Sequence, residues 1–320
     1  MNLSLLEENL TNPALLFFML GILAVQLKSD LAIPQTSSKF ISLYLLMSIG
    51  FKGGQELSHS ALDVEIVWSL CFGVLMALTV PIYSFFLLKK RLGISNAGAI
   101  AAAYGSVSAV TFVTAVSFLE MQNIAFGGHM VAVMALMEAP SIIVGVVLMA
   151  LFKKEKTKQV SFKKLLWHSI TNGSVMLIMG SLLIGFIASD AQAEGIKPFT
   201  TDIFKGFLAV FLLDMGIESG KRIKSFLSNG WEPVVFSMVV PMINGCVVAA
   251  MSHMVTTVPG NQLLLSILAA SASYIAVPAA MKLAAPDANP GLYVPMALAV
   301  TFPLNITLGM PIYFYIIQIM

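Results

Sequence analysis

Ten apolar runs, each about long enough to cross a bilayer as a helix, fill nearly all of this chain. They lie at about 13–28, 36–51, 63–88, 95–118 and 123–152, then at about 165–188, 199–217, 231–256, 261–284 and 291–319. A helical span needs about 20 predominantly apolar residues, so 320 residues hold the runs and little else. Only 11% of residues are charged, against roughly 25% in soluble domains, and the mean hydropathy is +0.89. There is too little charge to clothe a water-facing surface and no room for a soluble catalytic domain. The expectation is an all-α membrane protein of about ten transmembrane helices in the cell (inner) membrane. The first residues lack the order of a cleaved signal and carry Glu7 and Glu8, so the first run reads as a retained span. Cys71 and Cys246 both sit inside apolar runs and read as buried free thiols.

Lys and Arg set the orientation. The connections after odd-numbered runs hold Lys28 and Lys39, Lys89-Lys90-Arg91, then Lys153, Lys154, Lys156, Lys158, Lys163 and Lys164, and later Lys221, Arg222, Lys224 and Lys282. The opposite side holds only Lys52, Lys197 and Lys205. Both termini are therefore expected outside the cytoplasm, with the central basic segment inside.

The two halves resemble each other. Thr11-Asn12-Pro13 with Met19 matches Thr171-Asn172-Gly173 with Met179, and Gly50-Phe51-x-x-Gly54 matches Gly216-Ile217-x-x-Gly220. Gly105–Thr111 falls opposite Ser271–Val277, and Glu138-Ala139-Pro140 opposite Thr301-Phe302-Pro303. Five runs per copy is odd, so the second copy inserts upside down. The expected organisation is a first five-helix repeat at 1–152, a basic cytoplasmic linker at 153–164, and a second, inverted repeat at 165–320. Such repeats place a substrate site near the midplane where they meet.

The small-residue midpoints of the fourth and ninth runs are where two broken, crossing helices would lie. Unwinding exposes amides at half-helix N-termini, which favour an anion. Freed carbonyls and the hydroxyls of Ser106, Ser108, Thr111, Ser271 and Ser273 offer hard oxygen ligands to a small cation. Close helix packing by Gly, Ala and Ser is the alternative. Glu138 lies near the centre of the fifth run, where a carboxylate costs about 2.5–3.5 kcal/mol on insertion scales and should face the bundle interior. It reads either as a cation or proton site or as a structural carboxylate. Its mate Thr301, with Asn305 and Thr307, also offers oxygen. Asp214 and Glu218 read as a solvated mouth paired with Lys221 and Arg222. The four histidines have no ligand spacing, and no P-loop, HExxH, GxSxG or nucleic-acid signature occurs. Neither an enzyme nor a bound cofactor is indicated.

The chain carries Leu46…Gly50-Phe51-x-Gly53-Gly54, Gly105-Ser106-Val107-Ser108-x-x-Thr111, Met137-Glu138-Ala139-Pro140, Met215-Gly216-x-Glu218, Ala269-Ala270-Ser271-Ala272-Ser273 and Ala288-Asn289-Pro290-x-x-Tyr293 in that order. Together they resemble the cyanobacterial-type sodium-dependent bicarbonate transporter family. The resemblance implies ten helices in two inverted repeats, similar to bile-acid sodium symporters. A gate domain would take spans one, two, six and seven, and a core domain the rest. The fourth and ninth spans would be discontinuous and would cross, binding sodium and bicarbonate. By the same resemblance Gly105, Ser106, Ser108, Thr111, Ser271 and Ser273 belong to the site. The cyanobacterial members form homotrimers regulated by a PII-like protein, and their central loop is longer than the one here. Where the family reads Ser-Ser-Ser-Asp-Ile-Ser-Gly-Pro-Pro, this chain reads Ser271-Ala272-Ser273-Tyr274-Ile275-Ala276-Val277-Pro278-Ala279. Tyr274 thus replaces a carboxylate that would partner sodium, and Ala109-Val110 stands where Gly-Ser is expected.

The leading expectation is a secondary active transporter, a sodium-coupled symporter of bicarbonate or a similar small anion. The alternatives are a proton-coupled carrier of another metabolite using Glu138, and a non-transporting membrane sensor or scaffold.

Overall fold

A computed structural model describes residues 11–59, 63–153, 167 and 171–320. Glu7, Glu8 and the basic segment 154–164 lie outside the described residues. No strand occurs among the described residues. In chain order the helices are α1 Pro13–Gln26, α2 Gln35–His59, α3 Val64–Leu92, α4 Ile94–Gly105, α5 Ala109–Met121, α6 His129–Phe152, α7 Gly173–Ile187 and α8 Asp190–Lys197. There follow α9 Phe204–Leu227, α10 Trp231–Met251, α11 Pro259–Ala270, α12 Ala276–Ala284 and α13 Pro290–Ile319, the last with π-helical turns at Met296–Thr301 and Asn305–Gly309.

Local chemistry sets the ends. Asn12 caps α1 by accepting from the Ala14 amide at 2.9 Å, and Asn172 caps α7 by accepting from Ser174 at 2.9 Å. Asp63 accepts from Val64 to open α3. Gly93, at φ 79°, turns the chain sharply from α3 into α4, a conformation that L side chains avoid.

Five described helical segments are long and apolar enough to cross a membrane: Val64–Leu92, Ile94–Met121, His129–Phe152, Trp231–Met254 and Pro290–Ile319. Ten runs were expected, and the difference has a physical basis. The apolar helices α1 and α7 have 14 and 15 residues, so each rises only about 21–23 Å at 1.5 Å per residue, short of a hydrocarbon core of about 30 Å. Helices α2 and α9 are longer but carry charge: Lys39, Lys52 and Glu56 on one, and Lys205, Asp214, Glu218, Lys221 and Arg222 on the other. The ninth run is split into α11 and α12.

Two helix pairs approach at backbone distance. A Cβ added at Gly21 would lie 2.3 Å from the Leu213 carbonyl oxygen, and one at Gly216 would lie 2.1 Å from that of Phe18, so α1 and α9 touch through their glycines. Gly54 and Gly185 do the same for α2 and α7, with 2.1 Å to Leu182 O and 2.2 Å to Phe51 O. Small residues allow such approach where hydrophobic burial supplies no net drive between helices. Helices α3, α4 and α6 pack on one another, α10 lies against α11, and α11 meets α5. Residues 97–105 of α4 and 260–270 of α11 are buried throughout.

Leu16, Leu20 and Leu23 on α1 and Leu183, Ile184 and Ile187 on α7 point outward, the surface that lipid tails would cover. Cys71 shares this outward setting on α3 and Cys246 is half-buried; both are free. The expectation of two buried thiols fails because an apolar run in a membrane helix has a lipid face as well as an inner one.

Candidate functional site

Helices α4 and α5 are halves of one run, separated by extended backbone at Ser106 and Ser108. Helices α11 and α12 are likewise separated from Ser271 to Ile275. The two breaks meet. The Ser108 amide donates to the Ser271 hydroxyl at 3.0 Å, and the Ser273 amide donates to the Ala103 carbonyl at 2.8 Å.

A broken helix leaves carbonyls at its C-terminal end without intrahelical donors, and side chains from neighbouring helices fill that need. The Ser106 amide donates at 3.1 Å, and Ser141 of α6 adds a bond at 2.9 Å, to the Ala102 carbonyl. Asn305 of α13 donates to that of Ala270 at 2.7 Å, and Asn244 of α10 to that of Ala269 at 3.2 Å. At the N-terminal ends, Ser108 Oγ accepts from Thr111 at 3.1 Å and Ser273 Oγ from Val277 at 3.4 Å.

A narrow cleft opens beside the crossing, lined by Ser42 and Leu46 of α2, Val107–Ala109, Glu138 of α6, Ser174 of α7 and Ser273–Ala276. Its free volume is about 20 Å³, room for one water-sized guest. Glu138 is buried, and its Oε2 has no hydrogen-bond partner among the described residues. The Tyr274 hydroxyl is buried beside the Ser108 side chain without a hydrogen bond of normal geometry, and its ring meets Phe302 edge-on at 6.2 Å. Ala109 and Ala276, the first residues of α5 and α12, line the same cleft, so two helix N-termini, hydroxyls and one carboxylate converge. Amides and hydroxyls there can hold an anion, and the carboxylate with hydroxyl oxygens can hold a hard cation.

Of the residues singled out in the sequence, Ser108, Glu138, Ser273 and Tyr274 line this cleft. Ser271 stands behind it, its hydroxyl holding the Ser108 amide. Gly105 lets the end of α4 press on Pro81 and Ser141: a Cβ there would lie 2.2 Å from the proline ring. The Ser106 and Thr111 hydroxyls are buried without hydrogen-bond partners among the described residues. Thr301 stands apart from the cleft lining; its hydroxyl donates to the Ser237 carbonyl at 2.7 Å and meets the Tyr104 hydroxyl at 2.8 Å. Thr307 bonds back to its own helix through the Pro303 carbonyl. The acidic pair also divides: Glu218 takes Lys221 and Arg222, whereas Asp214 is buried against the Ser38 hydroxyl. Ser42 and Ser174 escaped sequence reasoning, because an isolated serine in an apolar helix carries no motif.

Two larger cavities, of about 330 and 210 Å³, lie further along α2, and Lys52 lines both. Lys52 pairs with Glu120 of α5, about 15 Å along α2 from Ser42 at helical rise.

The family model of the Na+-dependent bicarbonate transporter superfamily matches residues 13–318 of the chain. No curated protein matches it.

Proposed function

The chain belongs to the Na+-dependent bicarbonate transporter superfamily, and we propose that it carries bicarbonate or a similar small anion with sodium by alternating access. The observation that carries this reading is the composition of the cleft. Helix N-termini and hydroxyls suited to an anion share one small space with Glu138, whose Oε2 lacks a partner. A site for two ions of opposite charge at the meeting of two broken helices is what coupled symport needs.

The proposed architecture is ten spans in two inverted repeats, 1–152 and 165–320, joined by a cytoplasmic linker, with both termini outside. The close helix contacts support it. Gly21 with Gly216 joins the first span of one half to the second of the other, and Gly54 with Gly185 does the reverse. Asn12 and Asn172 cap the two first spans alike. In this reading α1, α2, α7 and α9 form a gate, and the remaining spans form a core carrying both breaks. Bicarbonate has four non-hydrogen atoms, and the free volume of about 20 Å³ is too small for it. Entry therefore requires α2 and α7 to move relative to the breaks.

Thermal unfolding of the detergent-solubilised protein, in sodium or matched choline and with or without bicarbonate, tests the proposal. A ligand that binds only the folded state stabilises it by about 2.7 kcal/mol at a hundredfold excess over Kd. The expected result is a stabilisation by bicarbonate that requires sodium. A well-folded sample indifferent to both would overturn it.

A further inference from the structure

The hydroxyls at the crossing are already engaged as structural groups. Ser271 Oγ accepts from the Ser108 amide and donates to the Leu268 carbonyl at 3.1 Å. Ser108 and Ser273 use their oxygens to cap α5 and α12. Across the cleft the situation differs. Ser42 on α2 and Ser174 on the first turn of α7 line the same space, and neither hydroxyl bonds to another described residue. Helical hydroxyls elsewhere commonly satisfy themselves by donating to the carbonyl four residues back, as Thr79, Thr114 and Ser266 do here. Ser42 makes no such bond to Ser38, and among the described residues both hydroxyls are without a partner as they line the cleft with the buried Glu138 and Tyr274.

We propose that Ser42 and Ser174 are specificity-determining contacts of this site, donating hydrogen bonds to the oxygens of a singly charged oxyanion from the wall opposite Ser108 and Ser273. Resting on the symport reading, this gives the ligand's chemistry. A planar oxyanion presents acceptors in several directions at once, so donors on two walls hold it better than they hold a spherical halide. Because α2 and α7 lie on the gate side, these contacts form only when that wall meets the core. The wall that moves would then itself discriminate between anions.

The test measures anion Kd from thermal stabilisation in sodium, with bicarbonate, formate and chloride as probes. Loss of a hydrogen bond to a charged group corresponds to about a tenfold loss of affinity. Ser42→Ala and Ser174→Ala should each raise the bicarbonate and formate Kd by about that factor. The weaker response to chloride and the unfolding temperature without anion should stay unchanged, since neither hydroxyl bonds to another described residue. Ser42→Thr and Ser174→Thr, which keep a donor, should recover part of the affinity. A wild-type protein that answers to none of the three anions would overturn the symport reading and this inference with it. A wild type that answers, with both alanine variants binding oxyanions equally well, would overturn this inference alone. So would lower unfolding temperatures in the variants at unchanged Kd, which would make the two serines packing residues.

Discussion

The Ser108 amide and the Ser271 hydroxyl, 3.0 Å apart, join the two broken runs where they cross. The same hydroxyl donates to Leu268 O, so both of its roles are filled inside the protein. Ser271→Ala leaves a buried amide without an acceptor, which costs about 1–3 kcal/mol. The unfolding temperature should fall, and Ser271→Thr should keep most of the stability. Unfolding of the alanine variant at the wild-type temperature would mean that the crossing is held by other contacts.

The glycines divide into those that touch backbone and those that touch nothing. A Cβ at Gly54 would lie 2.1 Å from the Leu182 carbonyl oxygen, whereas one at Gly180, on the same helix pair, meets no atom within 4 Å. Gly54→Ala must push α2 from α7 and should sharply lower the yield of folded protein. Gly180→Ala should be neutral or stabilising by up to about 1 kcal/mol, from helix propensity. Monodispersity on size-exclusion chromatography and unfolding temperature read both. Equal tolerance of the two changes would refute the close α2–α7 contact.

The all-helical, membrane-spanning character was legible because the bilayer imposes a length on each apolar run. The small residues at 105–111 and 271–277 announced the two breaks. Partner choice was less legible. Thr301 was placed in the site by its correspondence with Glu138, yet π-helical turning of α13 directs its hydroxyl to Ser237 and Tyr104. Asp214 was expected in solvent beside Lys221 and Arg222, but one helical turn of difference gives both cations to Glu218. Ser42 and Ser174 meet the crossing only because α2 and α7 pack as a pair, a long-range fact that no local spacing encodes.

Asn305 is the sharpest test of how the second break is held. Its amide donates to the Ala270 carbonyl at 2.7 Å, and its oxygen accepts from the Tyr313 hydroxyl at 2.9 Å. Asn305→Leu keeps the volume, takes the donor from the Ala270 carbonyl and leaves the Tyr313 hydroxyl only the weak Met242 sulfur at 3.3 Å, costing about 1–3 kcal/mol. Adding Tyr313→Phe removes the poorly partnered hydroxyl, so the double variant should lose less than the sum of the single losses. Strict additivity in unfolding free energy would mean that the two side chains are not coupled.

Glu138 and Thr301 align when the two halves of the sequence are compared, and in the proposed reading their surroundings give them opposite roles. Glu138 Oε2 has no hydrogen bond to another described residue, so Glu138→Gln should leave the fold intact. Without sodium the variant should unfold no earlier than wild type, because a buried unpaired charge is costly and the amide is neutral. Its response to sodium should vanish. Thr301→Val breaks the bonds to the Ser237 carbonyl and the Tyr104 hydroxyl, which should cost about 1–2 kcal/mol of stability at an unchanged sodium response. Unfolding temperature against sodium concentration for the two variants separates these effects. Loss of the sodium response in Thr301→Val with retention in Glu138→Gln would move the cation site to α13. The same loss in both would place the two side chains in one coupled network rather than in separate structural and binding roles.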